Sequence, residues 1–149
     1  MDTNLLTQFK DLGLGSVLAF SAIGSALGAG EAGMAAIGAW KKCFAQNKMA
    51  PFIMLAFVGA PLTQTIYGMI VMNALIELAK KGQYMWGVGI FSGIAMGLSA
   101  WYQGKAGASA ADAMGETGKG FGNYLMVLGI VETVAIFVMV FSLMAIGKM

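Results

Sequence analysis

The sequence predicts an all-α membrane protein: four transmembrane helices, paired as two related hairpins within a single membrane domain over residues 1–149. Three observations carry that expectation. The chain is 58% hydrophobic and only 11% charged, where soluble globular domains carry about 25% charged residues. Four apolar segments follow one another, each of roughly the 20 residues that a bilayer core demands of a helix. The two halves of the chain also repeat one another.

The first segment runs from Leu12 to Trp40 and the second from Pro51 to Ala79. The third starts at Trp86, stays apolar to Tyr102 and continues in small residues to about Met114. The fourth runs from Phe121 to Ile146. Between them lie Lys41-Lys42 to Lys48, Lys80-Lys81-Gly82-Gln83, and Asp112 to Lys119. Breaks this short make neighbouring helices antiparallel. Residues 12–79 are thus a first hairpin and 86–147 a second. Both termini share one side with the 80–85 loop, and the 41–50 and 112–119 loops share the other. Lysines do not orient the chain: Lys41, Lys42, Lys48, Lys105 and Lys119 fall on the two-loop side, and Lys10, Lys80, Lys81 and Lys148 on the opposite one. The opening stretch MDTNLLTQFKD lacks a clear basic n-region followed by a small-residue cleavage site. The run after Asp11 therefore reads as a retained helix.

Thr63-Gln64-Thr65 aligns with Val131-Glu132-Thr133 at an offset of 68, and Leu27-Gly28 with Gln103-Gly104 at an offset of 76. The halves keep the same direction, which makes this a parallel repeat. The first and third segments carry small residues at helical spacing: Ser16, Gly24, Gly28 and Ala32 on one, Gly89, Gly93, Gly97, Ala100, Gly104 and Ala108 on the other. Such stripes let helix backbones approach closely. Two of them in one chain suggest packing among many copies, with these helices crowded on the inside of a ring; ordinary packing within a monomeric bundle is the plainer alternative.

Histidine and arginine are absent, which excludes a His-based triad, a His-ligated metal site and an arginine clamp for phosphate. The net charge of +2 is scattered, with no basic stripe for nucleic acid. Cys43 is the only cysteine. It cannot pair internally, and it reads as a small apolar residue near a helix end.

Depth is the informative arithmetic. Glu132 lies 14 residues from Ile146, Gln64 lies 15 from Ala79, and Gln103 lies 17 from Trp86. At about 1.5 Å per residue, all three sit roughly 21–26 Å from the same membrane surface. Ala60, Thr63, Gln64 and Tyr67 share one helix face by their i, i+3, i+4, i+7 spacing. Pro61 frees the carbonyl of Phe57 one turn earlier, and the distortion can turn a nearby carbonyl, such as that of Ala60, toward a ligand.

An ionised carboxylate at mid-membrane costs about 2.5–3.5 kcal/mol or more. No lysine falls near the level of Glu132, so a proton or a metal ion must neutralise it. A permanently protonated glutamate acting as interhelical glue is the plainer reading, though intramembrane ionisable residues are usually functional. A proton carrier needs the carboxylate and little else. A hard cation wants several oxygens, and these are offered by Thr63, Gln64, Gln103, Glu132 and a carbonyl near Pro61. One negative charge suits a monovalent ion.

Three motifs now stand together: Pro61-x-Thr63-Gln64-x-x-Tyr67-Gly68, Tyr102-Gln103-Gly104-Lys105 and Val131-Glu132-Thr133. With them, nearly the whole chain resembles the proteolipid (K or c) subunit of bacterial V-type, or A/V-type, rotary ATPases, in particular the sodium-binding version. The resemblance implies a homo-oligomeric rotor ring in a bacterial plasma membrane, with the first and third helices inside. It implies Na+ held by Glu132, Gln103, Gln64, Thr63 and the Ala60 carbonyl, with Tyr67 hydrogen-bonded to the glutamate and H+ as the alternative cargo. A stator membrane subunit with an arginine and a central-stalk subunit are the implied partners. ATP chemistry would reside elsewhere, because no nucleotide-binding motif is present. Leu62, where relatives often have glycine, departs from the pattern. Glu31 is expected to be an interfacial carboxylate that reaches water or pairs with a lysine, with a second ion site as the sharper reading. A small ion-coupled transporter and a purely structural four-helix protein are the competing functions.

Overall fold

In the computed structural model, which describes residues 11–149, every regular element is helical. We number the helices α1 (Leu12–Ala45), α2 (Phe52–Lys80), α3 (Trp86–Thr117) and α4 (Phe121–Ile146). Lys10 and the stretch before it lie outside the described residues.

Two boundaries move outward from their sequence expectation. α1 continues past Trp40 through Lys41 and Lys42, and α3 continues past Met114. Lysine and alanine are good helix formers, and a cation in the last turn complements the helix dipole. With 34 and 32 residues, α1 and α3 are about 50 Å long, against a hydrocarbon core of about 30 Å. Both therefore project at the same end. Their projecting turns are linked by Lys42 Nζ, which lies 2.7 Å from Asp112 Oδ1 and 3.4 Å from Glu116 Oε1. At the opposite end, Gln83 Nε2 donates to the carbonyl of Met149 at 3.4 Å, which puts the C-terminus beside the α2–α3 turn as expected.

The expected count of four membrane spans needs one correction. Among the described residues three helices, α1, α2 and α4, are long and apolar enough to cross a membrane. α3 is long enough, but Gly87, Gly89, Ser92, Gly93, Gly97, Ser99 and Gln103 dilute its apolar character. Its small-residue face is instead covered by protein, and the helix packs against α1, α2 and α4.

The glycines explain how it is shielded. A Cβ built on Gly89 would overlap the Gly13 carbonyl oxygen, one on Gly93 would lie 2.8 Å from the Val17 Cα, and one on Gly104 would overlap the Gly28 Cα. Each of these pairs is separated by 76 positions, the repeat offset. α1 and α3 therefore run parallel, with equivalent residues of the two halves face to face. The two stripes meet each other within one chain, as the alternative of packing within a single bundle has it. Gly104→Ala should force the backbones apart and lower stability by about 1–3 kcal/mol, as overpacking does. Gly30→Ala, with open space around it, should be neutral or slightly stabilising. Thermal melting in detergent compares the two.

α2 is not one continuous α-helix. A 3-10 turn over Ala60–Leu62 interrupts it around Pro61. Pro61 cannot donate to the carbonyl one turn before it. That carbonyl, of Phe57, lies against Gly107 of α3, where a Cβ would approach it to 2.8 Å.

The interior is divided into two apolar clusters. One, toward the projecting end, is built on Ala36, Met54, Phe57, Ala111, Met114 and Leu128. The other, toward the termini, is built on Val17, Val71, Leu75, Met96 and Ala135. Two fully buried polar side chains, Gln64 and Gln103, lie between them.

Candidate functional site

The 3-10 turn sets the start of the site. Because the chain tightens at Ala60–Leu62, the Thr63 N–H bonds the Ala60 carbonyl. The Thr63 hydroxyl lies within reach of two oxygens, Ala60 O at 3.0 Å and Gln64 Oε1 at 3.2 Å. Helical spacing then carries Gln64 and Tyr67 along the same side of α2.

From there the polar groups form a continuous chain across three helices. Gln64 Nε2 donates to Gln103 Oε1 at 2.8 Å. Gln103 Nε2 donates to Glu132 Oε2 at 3.2 Å and to the Leu128 carbonyl at 3.1 Å. The Tyr67 hydroxyl donates to Glu132 Oε1 at 2.7 Å. The common depth expected for Gln64, Gln103 and Glu132 is thus realised as direct contact. Thr63 and Tyr67 belong to the same network, and the Ala60 carbonyl joins it through Thr63.

The direction of the bonds matters. Both amides turn an N–H toward the next group, so their carbonyl oxygens remain acceptors. Gln103 Oε1 and each oxygen of Glu132 accept one hydrogen bond and keep a second lone pair. The Ala60 carbonyl accepts the Thr63 N–H and shares the one hydroxyl proton of Thr63 with Gln64 Oε1, so Gln64 Oε1 also keeps at least one lone pair. Among the described residues no lysine forms a salt bridge with Glu132, and no group of three or more His, Cys, Asp or Glu side chains gathers anywhere. The arrangement can therefore hold one negative charge within an oxygen-rich, otherwise neutral pocket.

The buried end is formed by Gln64 and Gln103, each with 0% exposure. The half-buried end is formed by Glu132, Thr63 and Tyr67. Exposed apolar side chains flank it: Ile130 and Val134 on α4, Leu62 and Ile66 on α2. Leu62 itself is 51% exposed.

Sequence reasoning missed two partners. Glu31 accepts a hydrogen bond from Trp101 Nε1 at 2.6 Å, and Lys105 Nζ sits 4.2 Å above the same indole ring. Glu31 is thus tied to an indole with a lysine on its face, rather than paired directly with a lysine, and it is not part of the Glu132 network. An indole donor gives no signal in a sequence until its helix neighbour is known. The second missed partner is Ser99, whose hydroxyl donates to the Val131 carbonyl at 3.1 Å. Cys43 is buried and unpaired, as expected of a small residue near a helix end.

Residues 86–145 match the family model of the ATP synthase C subunit. The matched segment is the second hairpin, α3 and α4, and it contains both Gln103 and Glu132. No curated protein matches the chain. The match covers 60 of the 149 residues and is a likeness to a family of non-catalytic, ion-translocating membrane proteins. Members of that family form oligomeric rings together with other parts of the ATP synthase. The first hairpin falls outside the matched segment and is related to it by the internal repeat. In that repeat Gln64 stands where α4 carries Glu132, so the chain has one such carboxylate for two hairpins.

Proposed function

We propose that the chain is the rotor-ring subunit of a V-type (A/V-type) ATPase or ATP synthase, and that it carries one Na+ per protomer at Glu132 during rotation. Gln103, Gln64, Thr63 and the Ala60 carbonyl are the neutral ligands. Tyr67 holds the carboxylate, and Pro61 creates the 3-10 turn that orients Thr63. One observation carries the reading: a single carboxylate ends a chain of oxygens with free lone pairs, and among the described residues no fixed cation is bound to it.

The chemistry follows from charge. An ionised Glu132 at this depth is held out of lipid by its cost, of order 3 kcal/mol or more. Binding a monovalent cation from a half-channel of the stator membrane subunit neutralises it, and the neutral site can then face lipid. A stator arginine displaces the ion at the end of the turn. Torque leaves through the loops at the projecting ends of α1 and α3, toward a central-stalk subunit. One site for two hairpins means one ion per four helices. The setting is a multi-pass protein of a bacterial plasma membrane.

Carbodiimide labelling tests the cargo. The reagent attacks a protonated carboxyl, so a bound metal ion protects it. Sodium should suppress labelling of Glu132 in the detergent-solubilised protein at moderate pH, and the solubilised mass should correspond to many copies. Labelling indifferent to sodium would assign the same ring to H+, and a monomer or dimer would sink the rotor assignment.

A further inference from the structure

Buried serines and threonines in helices usually turn the hydroxyl back onto their own helix. Here Ser21 donates to the Val17 carbonyl at 2.7 Å and Ser92 to the Val88 carbonyl at 2.5 Å, and the exposed Thr133 does the same to the Ile130 carbonyl at 2.7 Å. Ser99 does not follow them. Its hydroxyl crosses from α3 to α4 and donates to the Val131 carbonyl at 3.1 Å. Among the described serines and threonines it is the one whose hydroxyl bonds a carbonyl of another helix. Val131 immediately precedes Glu132.

Ser99 also lies one turn before Gln103, on the same face of α3. Gln103 reaches the Leu128 carbonyl of α4 at 3.1 Å. Two donors spaced i, i+4 on α3 therefore hold two carbonyls spaced i, i+3 on α4, around the stretch that carries Glu132. Elsewhere the two helices diverge. An apolar groove of about 380 Å³ opens between them at the projecting end, lined by Ala106, Ala110, Tyr124 and Val127. Another of about 400 Å³ opens at the opposite end, lined by Val88, Phe91, Val138 and Phe141. α4 itself buries only Leu128, Ala135 and Ile146. Apolar packing gives little rotational lock to such a helix.

We infer that Ser99 is a positioning residue for the Glu132 site: by holding the Val131 carbonyl it fixes the rotation of α4 that directs the carboxylate onto Tyr67 and Gln103. Without that bond α3 holds the α4 backbone through Gln103 alone, which must also serve as a partner of the carboxylate. Rotation of α4 would then weaken the Tyr67–Glu132 and Gln103–Glu132 bonds together.

The test uses the purified full-length chain in detergent, as wild type, Ser99→Ala, Ser99→Thr and Ser92→Ala. Two quantities are read: the sodium concentration that half-protects Glu132 from carbodiimide, and the pH midpoint of labelling without sodium. The first rests on the sodium reading above; the second does not. Loss of one membrane hydrogen bond should raise the half-protecting concentration about three- to ten-fold in Ser99→Ala. It should also change the pH dependence of labelling, because the Tyr67 and Gln103 bonds to the carboxylate weaken together. Ser99→Thr keeps the donor and should restore both values. Ser92→Ala removes an equally buried hydroxyl from the same helix and should leave both unchanged. If sodium protects nothing even in wild type, the cation reading fails and Ser99 is judged on the pH midpoint alone. If Ser99→Ala does not fold, Ser99→Gly replaces it under the same readouts. A Ser99 variant with a wild-type pH midpoint, or a Ser92→Ala shift of equal size, overturns the inference.

Discussion

Glu132→Gln should abolish ion transport by the assembled complex while leaving the protein folded. The substitution keeps an acceptor oxygen where Tyr67 Oη now donates at 2.7 Å, and it keeps side-chain volume beside Gln103. What it removes is the only charge in the network. The neutral site then faces lipid with or without an ion, and it no longer has a reason to exchange one at the stator. Stability should hold or improve, since an ionised carboxylate at this depth costs of order 3 kcal/mol. Transport in reconstituted vesicles and thermal melting in detergent give the two halves of the result. A variant that still transports would move the ion site away from Glu132 altogether. The contrast with Glu31→Gln is informative, because Glu31 bonds Trp101 on the other side of α3. That change should cost one indole hydrogen bond and no transport.

The site is legible in the sequence because a helix has a fixed rise. Counting residues from Ile146, Ala79 and Trp86 places Glu132, Gln64 and Gln103 at one level, and the structure joins them through Gln103. Pro61 is legible for a similar reason: a residue with no N–H must break the ladder locally, and the 3-10 turn lies at Ala60–Leu62. The repeat offset of 76 reappears as the register of the Gly28–Gly104 contact.

What sequence does not supply is direction around each helix axis. Glycine stripes look the same whether they meet a helix of the same chain or of another. Here they meet within the chain. Apolarity stops at the lysines, yet the helical backbone continues to Ala45 and to Thr117. Trp101 reads as one more apolar residue, and only the approach of α1 shows that its N–H serves Glu31. Ser99 is silent for the same reason, since its choice between its own helix and α4 is decided by interhelical distance.

Gln103→Leu should have the second large effect, on both stability and binding. Gln103 is fully buried and takes part in three polar contacts, accepting from Gln64 and donating to the Leu128 carbonyl and to Glu132. Leucine is close in volume, so the loss is polar and not a cavity. The Leu128 carbonyl retains its own helical partner. Gln64 Nε2 does not, and a buried donor left unpaired costs about 1–3 kcal/mol. Glu132 Oε2 loses its donor as well. The expected result is a destabilisation of about 2–3 kcal/mol, with sodium protection of Glu132 weakened by about a hundred-fold through loss of one neutral ligand and its orienting bond. Gln103→Glu separates these two effects. It retains the oxygens but sets a second carboxyl about one hydrogen bond from the first, and two such groups cannot both ionise. One proton would then stay bound at the pair, and labelling by carbodiimide should persist to higher pH than in wild type. A Gln103→Leu protein with wild-type protection would show that Gln103 serves the helix contact alone, and would leave Glu132, Gln64 and Thr63 as the ligands to be tested next.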